Sequence, residues 1–542
     1  MEKTNTKPLS LIMLNILFFI IHANIYGTTW YVSTTGNNSN NGKSLAQAFS
    51  TIQHAESQTN PGDTVLVANG TYNQSISITR SGTSSAWITY KAINKHGATL
   101  NTSNSCFVIG GTNLPTSYII IDGFELIATG VYGVGVGSGY GAHHLTVRNC
   151  WAHNCGQSGI QLNDGDYRTA ENNICNNNSW LMPLCGSGIS LWGLAPFDSL
   201  SGYHSIVKGN ICYDNENGPA TNQTDGEGII IDDNRNTQSG HTAGSKNIGY
   251  TGCKVLVEDN LCYFNGGYGI EIYLSNNATV RNNTVWSNYK DRGNTGTWRS
   301  DLAASCSANI LFYNNIAVAN SNLRMDGETT NYSNFSNNSA IGAYALSGDM
   351  YGANYTYYNN ISYDINNTSS NSVTSNGITI SFNVANGNKA ATNPLFINPD
   401  TSSSIANFHL QSSSSAINAG TLSYGADTTD LDGNPRVVGS TIDIGCYEQQ
   451  ISTTSMHSLN ASINPVSIFP NPANDYCFLN SELLSDKKIT VRFYNTIGQE
   501  IYTAQTSSKR IDVSRLQDGL YFYSLIIENG ESIGEGKIII QR

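Results

Sequence analysis

The chain has 542 residues and a formal net charge of −12, and only 12% of its side chains are charged, against 52 Gly, 30 Tyr and 12 Pro. That length exceeds what one compact core accommodates, the shortage of Glu, Lys and Arg argues against helical surfaces, and an acidic chain without a Lys/Arg cluster excludes a nucleic-acid partner. An elongated all-β repeat protein is expected, acting as a monomer. The 11 cysteines occur without CxxC pairs or zinc-type His spacing, which speaks against a metal-cysteine site. No organic cofactor is expected.

The chain opens with Lys3 and Lys7, an apolar run from Leu9 to Ile21, and small or polar residues down to Gly27. This reads as a secretory signal peptide over 1–27, its apolar run shorter than the roughly 20 residues of a membrane span. Between residues 145 and 320 a motif then returns: AENNICNNN from Ala170, VKGNICYDN from Val207, VEDNLCYFN from Val257, VRNNTVWSN from Val280 and FYNNIAVAN from Phe312. Each copy supplies short strands and Asn/Gly turns, too little for a propeller blade, so stacked coils of a right-handed parallel β-helix over 28–392 are predicted.

Aligned copies give ladders. Asn173, Asn210, Asn260, Asn283 and Asn315 form one, read as stacked side chains bonding along the coil axis and tolerating a left-handed turn. Cys175, Cys212, Cys262, Val285 and Ala317 form an interior row, in which adjacent cysteines could pair. A Gly-Ile step in SGIQLND, SGISLWG, EGIIIDD and YGIEIYL points Ile160, Ile189, Ile229 and Ile270 inward. Two outward, exposed rows follow: Gln161, Ser190, Ile230, Glu271, and Asn163, Trp192, Asp232, Tyr273.

The second row is a candidate sugar-binding face, with Trp192 and Tyr273 flanking a carboxylate and Asn163 and Glu227 as further substrate contacts. Asp225, Glu227, Asp232, Asp233 and Glu271 crowd the same place in a chain poor in charge. Asp232 and Glu271, with Asp233 nearby, are the acid–base candidates; very roughly 8 Å between their backbones suits an inverting hydrolase pair. Asp225, Asp232 and Glu271 could instead hold a calcium ion. Lys290 and Arg292 are the candidates for the base and the cation that uronate elimination needs, with Lys254, His204 and His241 also near. A structural alternative stands beside each: strands favour Trp and Tyr, and Asp233-Asn234 suits a plain turn.

The stretch from Trp30 to Thr83, WYVSTTGNNSNNGKSLAQAFSTIQHAESQTNPGDTVLVANGTYNQSISITRSGT, resembles the N-terminal part of family nine polysaccharide lyases and related β-helix glycoside hydrolases. The resemblance implies that Asp225-Gly226 matches a calcium-ligand step of that family. It departs at Gly267, Tyr268, Gly269, Ile270 and Glu271, where the family has Asp-Asp-Gly-Trp-Asp and only Glu271 keeps an acid. Residues 393–448, NPLFINPDTSSSIANFHLQ through DLDGNPRVVGSTIDIGCYE, look like the segment that ends secreted β-helices. After a Ser/Thr-rich linker at 449–464, residues 465–542 with SIFPNPANDYCFL and KITVRFYNTIGQEIY resemble a type IX secretion C-terminal sorting domain, a small β-sandwich. This implies export through the outer membrane by the type IX machinery to the surface or medium, with signal peptide and sorting domain removed. The expected function is cleavage of an extracellular polysaccharide, lyase chemistry on a uronate polymer standing slightly ahead of an inverting hydrolase. A non-catalytic glycan-binding adhesin is the third reading.

Overall fold

A computed structural model describes residues 27–542 apart from 111–115, 131–134, 139–140, 183–185, 219–224, 236, 238–251, 292–299, 321–341, 347–354, 366–372, 376–377, 381–385, 400–405, 451–466, 481–487, 496–498, 508 and 528–531. The signal-peptide reading, Arg292 and His241 therefore lie outside the described residues, Gly27 excepted. The chain divides into two compact units, 1–451 and 452–542.

The first unit is a parallel β-helix of three sheets, with 11, 10 and 9 strands among the described residues. One coil runs from Ile229–Asp232 in the 9-stranded sheet through Cys253–Glu258 in the 11-stranded sheet to Leu261–Tyr263 in the 10-stranded sheet. The next begins at Ile270–Tyr273. The inward rows are as predicted: Ile160, Ile189, Ile229, Ile270 and Leu302 are paired coil to coil and fully buried. Each aliphatic side chain removed from water in this way is worth about 1.5–3 kcal/mol. Cys175, Cys212, Cys262, Val285 and Ala317 are likewise in register and buried, and the three thiols are free.

The asparagine ladder is a continuous hydrogen-bond column. Asn210 Nδ2 donates to Asn260 Oδ1 at 2.9 Å and to the Ala170 carbonyl at 2.9 Å, while its backbone N–H donates to the same Asn260 Oδ1 at 2.9 Å. Asn260 repeats this onto Asn283, and Asn283 onto Asn315, which extends the column to Asn360 and Asn388. The left-handed backbone falls not on the ladder residue but on the one before it: Asn172, Gly209, Asp259, Asn282 and Asn314 have φ of 56, 64, 55, 55 and 55°. The bend is thus made by one residue and locked by its neighbour. A second column, Asn178, Asn215, Asn265 and Asn288, ends on Asp301, whose Oδ1 accepts from Asn288 Nδ2 at 2.8 Å.

The segment read as ending the helix does more than that: it folds back over the outside of the 10-stranded sheet. Phe396, Phe408, Leu410 and Ile444 pack with Leu261, Trp286, Ile316, Val318 and Ile361, an outward sheet face too apolar to leave wet. Arg436 pins this cover from inside, its Nη2 donating to Asp259 Oδ1 at 2.6 Å and to the Gly445 carbonyl at 2.6 Å, all of it buried. The second unit is an antiparallel sandwich of a 3-stranded and a 4-stranded sheet around Leu479, Val491, Phe493, Leu525 and Ile538.

Asn260→Ala removes the acceptor that Asn210 uses twice and the donor to Asn283, leaving buried polar groups that cost about 1–3 kcal/mol each. The unfolding free energy of the full chain from urea titration is expected to fall by on the order of 3 kcal/mol, whereas Lys254→Ala, at an exposed position of the neighbouring strand, stays within about 0.5 kcal/mol.

Candidate functional site

The predicted face lies on the 9-stranded sheet. Strand Ile229–Asp232 pairs with Ile189–Trp192 before it and Ile270–Tyr273 after it, so Trp192, Asp232 and Tyr273 stand in one row, all half-buried. Asn163 continues that row, since the Asp164 N–H bonds to the Trp192 carbonyl at 2.8 Å. Ser305 follows Tyr273 on the next coil. The neighbouring row, expected to be exposed, is not: Ser190, Ile230 and Glu271 are 9, 4 and 6% exposed, and only Gln161 is half-open.

Glu271 therefore lies on this face but is covered there, nearly out of contact with water. Burial raises its carboxyl to about 8; a hydrogen bond with Ser305 works the other way, and Asp225 adds to the rise. Asp225 is the hub of a four-acid cluster. Its charge also raises Glu227, which burial already lifts well above the ordinary carboxylate range, and Asp291, which reaches about 8 chiefly by burial. The Asp225 N–H donates to Asn217 Oδ1 at 2.9 Å, and the Asn217 N–H donates to Asp291 Oδ2 at 3.0 Å, so one asparagine ties the two acids together. Asp291 reaches this place only because Gly226 and Gly266 carry no side chain; a Cβ on either would collide with its carboxylate. Gly226 is also left-handed, at φ 94°.

Several expected site residues are placed elsewhere. Glu227, expected to touch substrate, belongs to the inward row with Ser187; it is fully buried, and its Oε2 accepts from Ser187 Oγ at 2.7 Å. Asp233, an acid–base candidate, is fully buried at φ 46° and its Oδ1 accepts from the N–H and Oγ1 of Thr237, both at 2.7 Å, which is a turn-closing role. Lys290, the candidate base, is paired with Asp214 Oδ1 at 2.7 Å and with Glu216. Burial lowers its pKa, but Glu216 and Asp214 outweigh burial and hold it above the ordinary lysine value, so it is a fixed cation and not a proton acceptor. Asp291, next in the chain, is a site residue that the sequence reading passed over.

The calcium reading of Asp225, Asp232 and Glu271 requires oxygens converging on one ion with bonds of about 2.3–2.6 Å. Among the described residues these three do not form a set of ligand atoms within 4.8 Å of one another; the set that does is Asp166, His204 and Cys253. As placed, the three acids do not fit the ion.

Comparison with known proteins bears on the fold and on export. Residues 30–182 match the family model described as Pel9A-like, right handed beta helix region, and residues 467–541 match that of a secretion system C-terminal sorting domain. The chain is a right-handed parallel β-helix with a type IX sorting domain, which directs it to the cell surface or the extracellular space. No curated protein matches. Among solved structures, pectate lyase Pel9A is similar at 18% identity over 78% of this chain and 96% of its own, with a TM-score of 0.39. XylC in complex with xylose is similar at 12% identity over 65 and 76%, TM-score 0.36, and an alginate lyase from Paenibacillus sp. str. FPU-7 at 16% over 55 and 96%, TM-score 0.33. At such identities the likeness is one of fold.

Glu271 and Asp291 bind a proton more readily folded than unfolded, so the stability they contribute is complete below the ordinary carboxylate pKa and is lost as the pH rises through about 8. Thermal melts of the full chain are expected to fall between about pH 5 and pH 9. Glu271→Gln, which keeps the neutral shape, should flatten that fall; an unchanged slope would remove Glu271 from the account.

Proposed function

We propose that the protein is a carbohydrate-active enzyme that hydrolyses glycosidic bonds of an extracellular polysaccharide, with Glu271 as general acid and Asp232 as the carboxylate that activates water. The observation carrying this reading is a carboxyl poised at about 8, Glu271, on the same sheet face as the half-buried row Trp192, Asp232 and Tyr273. An acid that keeps its proton near neutral pH can deliver it to a leaving-group oxygen. Asp232 is one coil and two residues away from Glu271, very roughly 8 Å between backbones, a spacing compatible with the ~6.5–9.5 Å between carboxyl groups that leaves room for a water in an inverting mechanism. Trp192 and Tyr273 on either side offer apolar ring faces to pyranose units. Burial, with the charge of Asp225 adding to it, keeps Glu271 protonated.

Elimination on a uronate polymer is the second reading, favoured by the match of residues 30–182 to the Pel9A-like region. It needs an unprotonated base, and Lys290, the candidate for that role, is held as a cation. A neutral or weakly acidic glycan also suits a chain of net charge −12 better.

The full chain incubated with a panel of neutral and acidic polysaccharides should generate reducing ends without the ultraviolet absorbance of an unsaturated product. Glu271→Gln and Asp232→Asn are each expected to lose about 10²-fold or more in rate. Absorbance appearing with the reducing ends would replace hydrolysis by elimination. Binding without either signal would make the face an adhesin.

A further inference from the structure

On the 11-stranded sheet a bulged strand carries a histidine to a place between an acid and a thiol. Gly202 pairs with Cys253 and Tyr203 with Lys254, but the next pair is Ser205 with Val255, so His204 is an extra residue in its strand. A bulged residue escapes the in–out alternation of the strand, and its side chain is re-aimed. Asp166 opens the strand one coil earlier and Cys253 opens the strand one coil later. The ligand atoms of the three side chains all lie within 4.8 Å of one another, and all three residues are buried.

The histidine is oriented on both sides. Nδ1 is 2.7 Å from Asp166 Oδ2, and Nε2 is 2.9 Å from the carbonyl of Leu200. That carbonyl only accepts, so Nε2, which also lies 3.2 Å from the Tyr167 hydroxyl, carries a hydrogen and Nδ1 is the nitrogen turned to Asp166; the Cys253 thiol reaches the same carbonyl at 4.0 Å. A ring nitrogen fixed through the opposite N–H by a backbone carbonyl is how metal-binding imidazoles are held. Leu200 is itself fixed, its N–H donating to Asp198 Oδ1 at 2.9 Å, and the Tyr167 ring stacks on the imidazole at 4.2 Å.

We propose that Asp166, His204 and Cys253 form a binding site for a divalent ion of the zinc type, ligated by a carboxylate oxygen, Nδ1 and Sγ with water in the fourth position. One oxygen, one nitrogen and one sulfur are the donors that zinc takes and that calcium, an oxygen seeker, does not. Bonds of about 2.0–2.3 Å set tetrahedral ligand atoms roughly 3.3–3.8 Å apart, so the 2.7 Å contact of Nδ1 with Oδ2 opens by roughly 0.6–1.1 Å while the cluster keeps its place. Binding displaces the thiol proton and the proton between Nδ1 and Asp166. The double charge of the ion is then balanced by the Asp166 carboxylate and the Cys253 thiolate, a neutral assembly suited to burial. Because its ligands come from three successive coils, the ion would staple them.

The full chain, purified without chelator and given zinc or cobalt(II) before desalting, is expected to retain about one equivalent of metal. The cobalt form should show a thiolate-to-metal charge-transfer band and tetrahedral visible bands, and both should vanish in Cys253→Ser. Failure to retain metal would overturn the proposal, as would equal retention with an unchanged band in Cys253→Ser, which would put the ion elsewhere. Should that variant not fold, thiol alkylation of the unmodified chain under mild denaturation decides: zinc must protect the peptide containing Cys253, and equal labelling with and without zinc overturns the site.

Discussion

Each coil is joined to the next by an asparagine whose single side-chain oxygen takes two hydrogens from the coil before and whose nitrogen gives one forward and one back. The arrangement uses every polar atom of the amide inside a dry interior, where an unmet one would be costly. It also sets the register. A slip of one residue between neighbouring strands would turn each inward Ile outward and break the column at the same moment. The rows of the outer faces are defined by that register, and so is every cluster of side chains that comes from more than one coil.

The acidic cluster shows what a rigid register permits. Four carboxyls from the turn before Ile229–Asp232, the strand Ile270–Tyr273 and the turn after Thr284–Trp286 meet in a place from which water is largely excluded. Such a gathering stands only if protons stay on, and the raised values of Glu271 and Asp291 are the expression of that cost. Gly226 and Gly266 provide the room and Asn217 the tie. Beside it, Lys290 answers Asp214 and Glu216 in an ion cluster of its own.

Rows that repeat were legible from the sequence, because a repeat of fixed spacing reports a stack: the Asn column, the cysteine row beneath it, and the pairing of Trp192, Asp232 and Tyr273 could all be aligned by eye. In EGIIIDD the alternation that turns Ile229 and Ile231 inward and Asp232 outward also carries Glu227, two residues before Ile229, into the inward row beside Ser187, a parity that holds back through the turn. Properties that hang on what lies opposite were not legible. Asp291 has meaning only once two glycines from other coils are seen against it. His204, Asp166 and Cys253 are far apart along the chain and lack every spacing by which metal sites are usually found, because in a solenoid the short distances run across coils and the bulge that aims His204 has no mark in the sequence. The cover over the 10-stranded sheet was taken for an ending for the same reason: apolar outward residues such as Trp286 and Ile316 look like strand interior until the segment lying on them is known.

The two asparagine columns differ at one end. The first passes from Asn315 to Asn360 and Asn388 through identical joints, whereas the second stops at Asp301, a side chain that takes a hydrogen bond at Oδ1 and sends no amide onward. Identical joints let each asparagine meet that of any other coil, so a whole coil before Asp301 could be duplicated or lost without leaving an amide of either column unmatched. Asp301 is a terminal piece in that scheme. Among the described residues it closes the second column while the first runs on, so the coils beyond it are joined by one column of asparagines where those before it are joined by two.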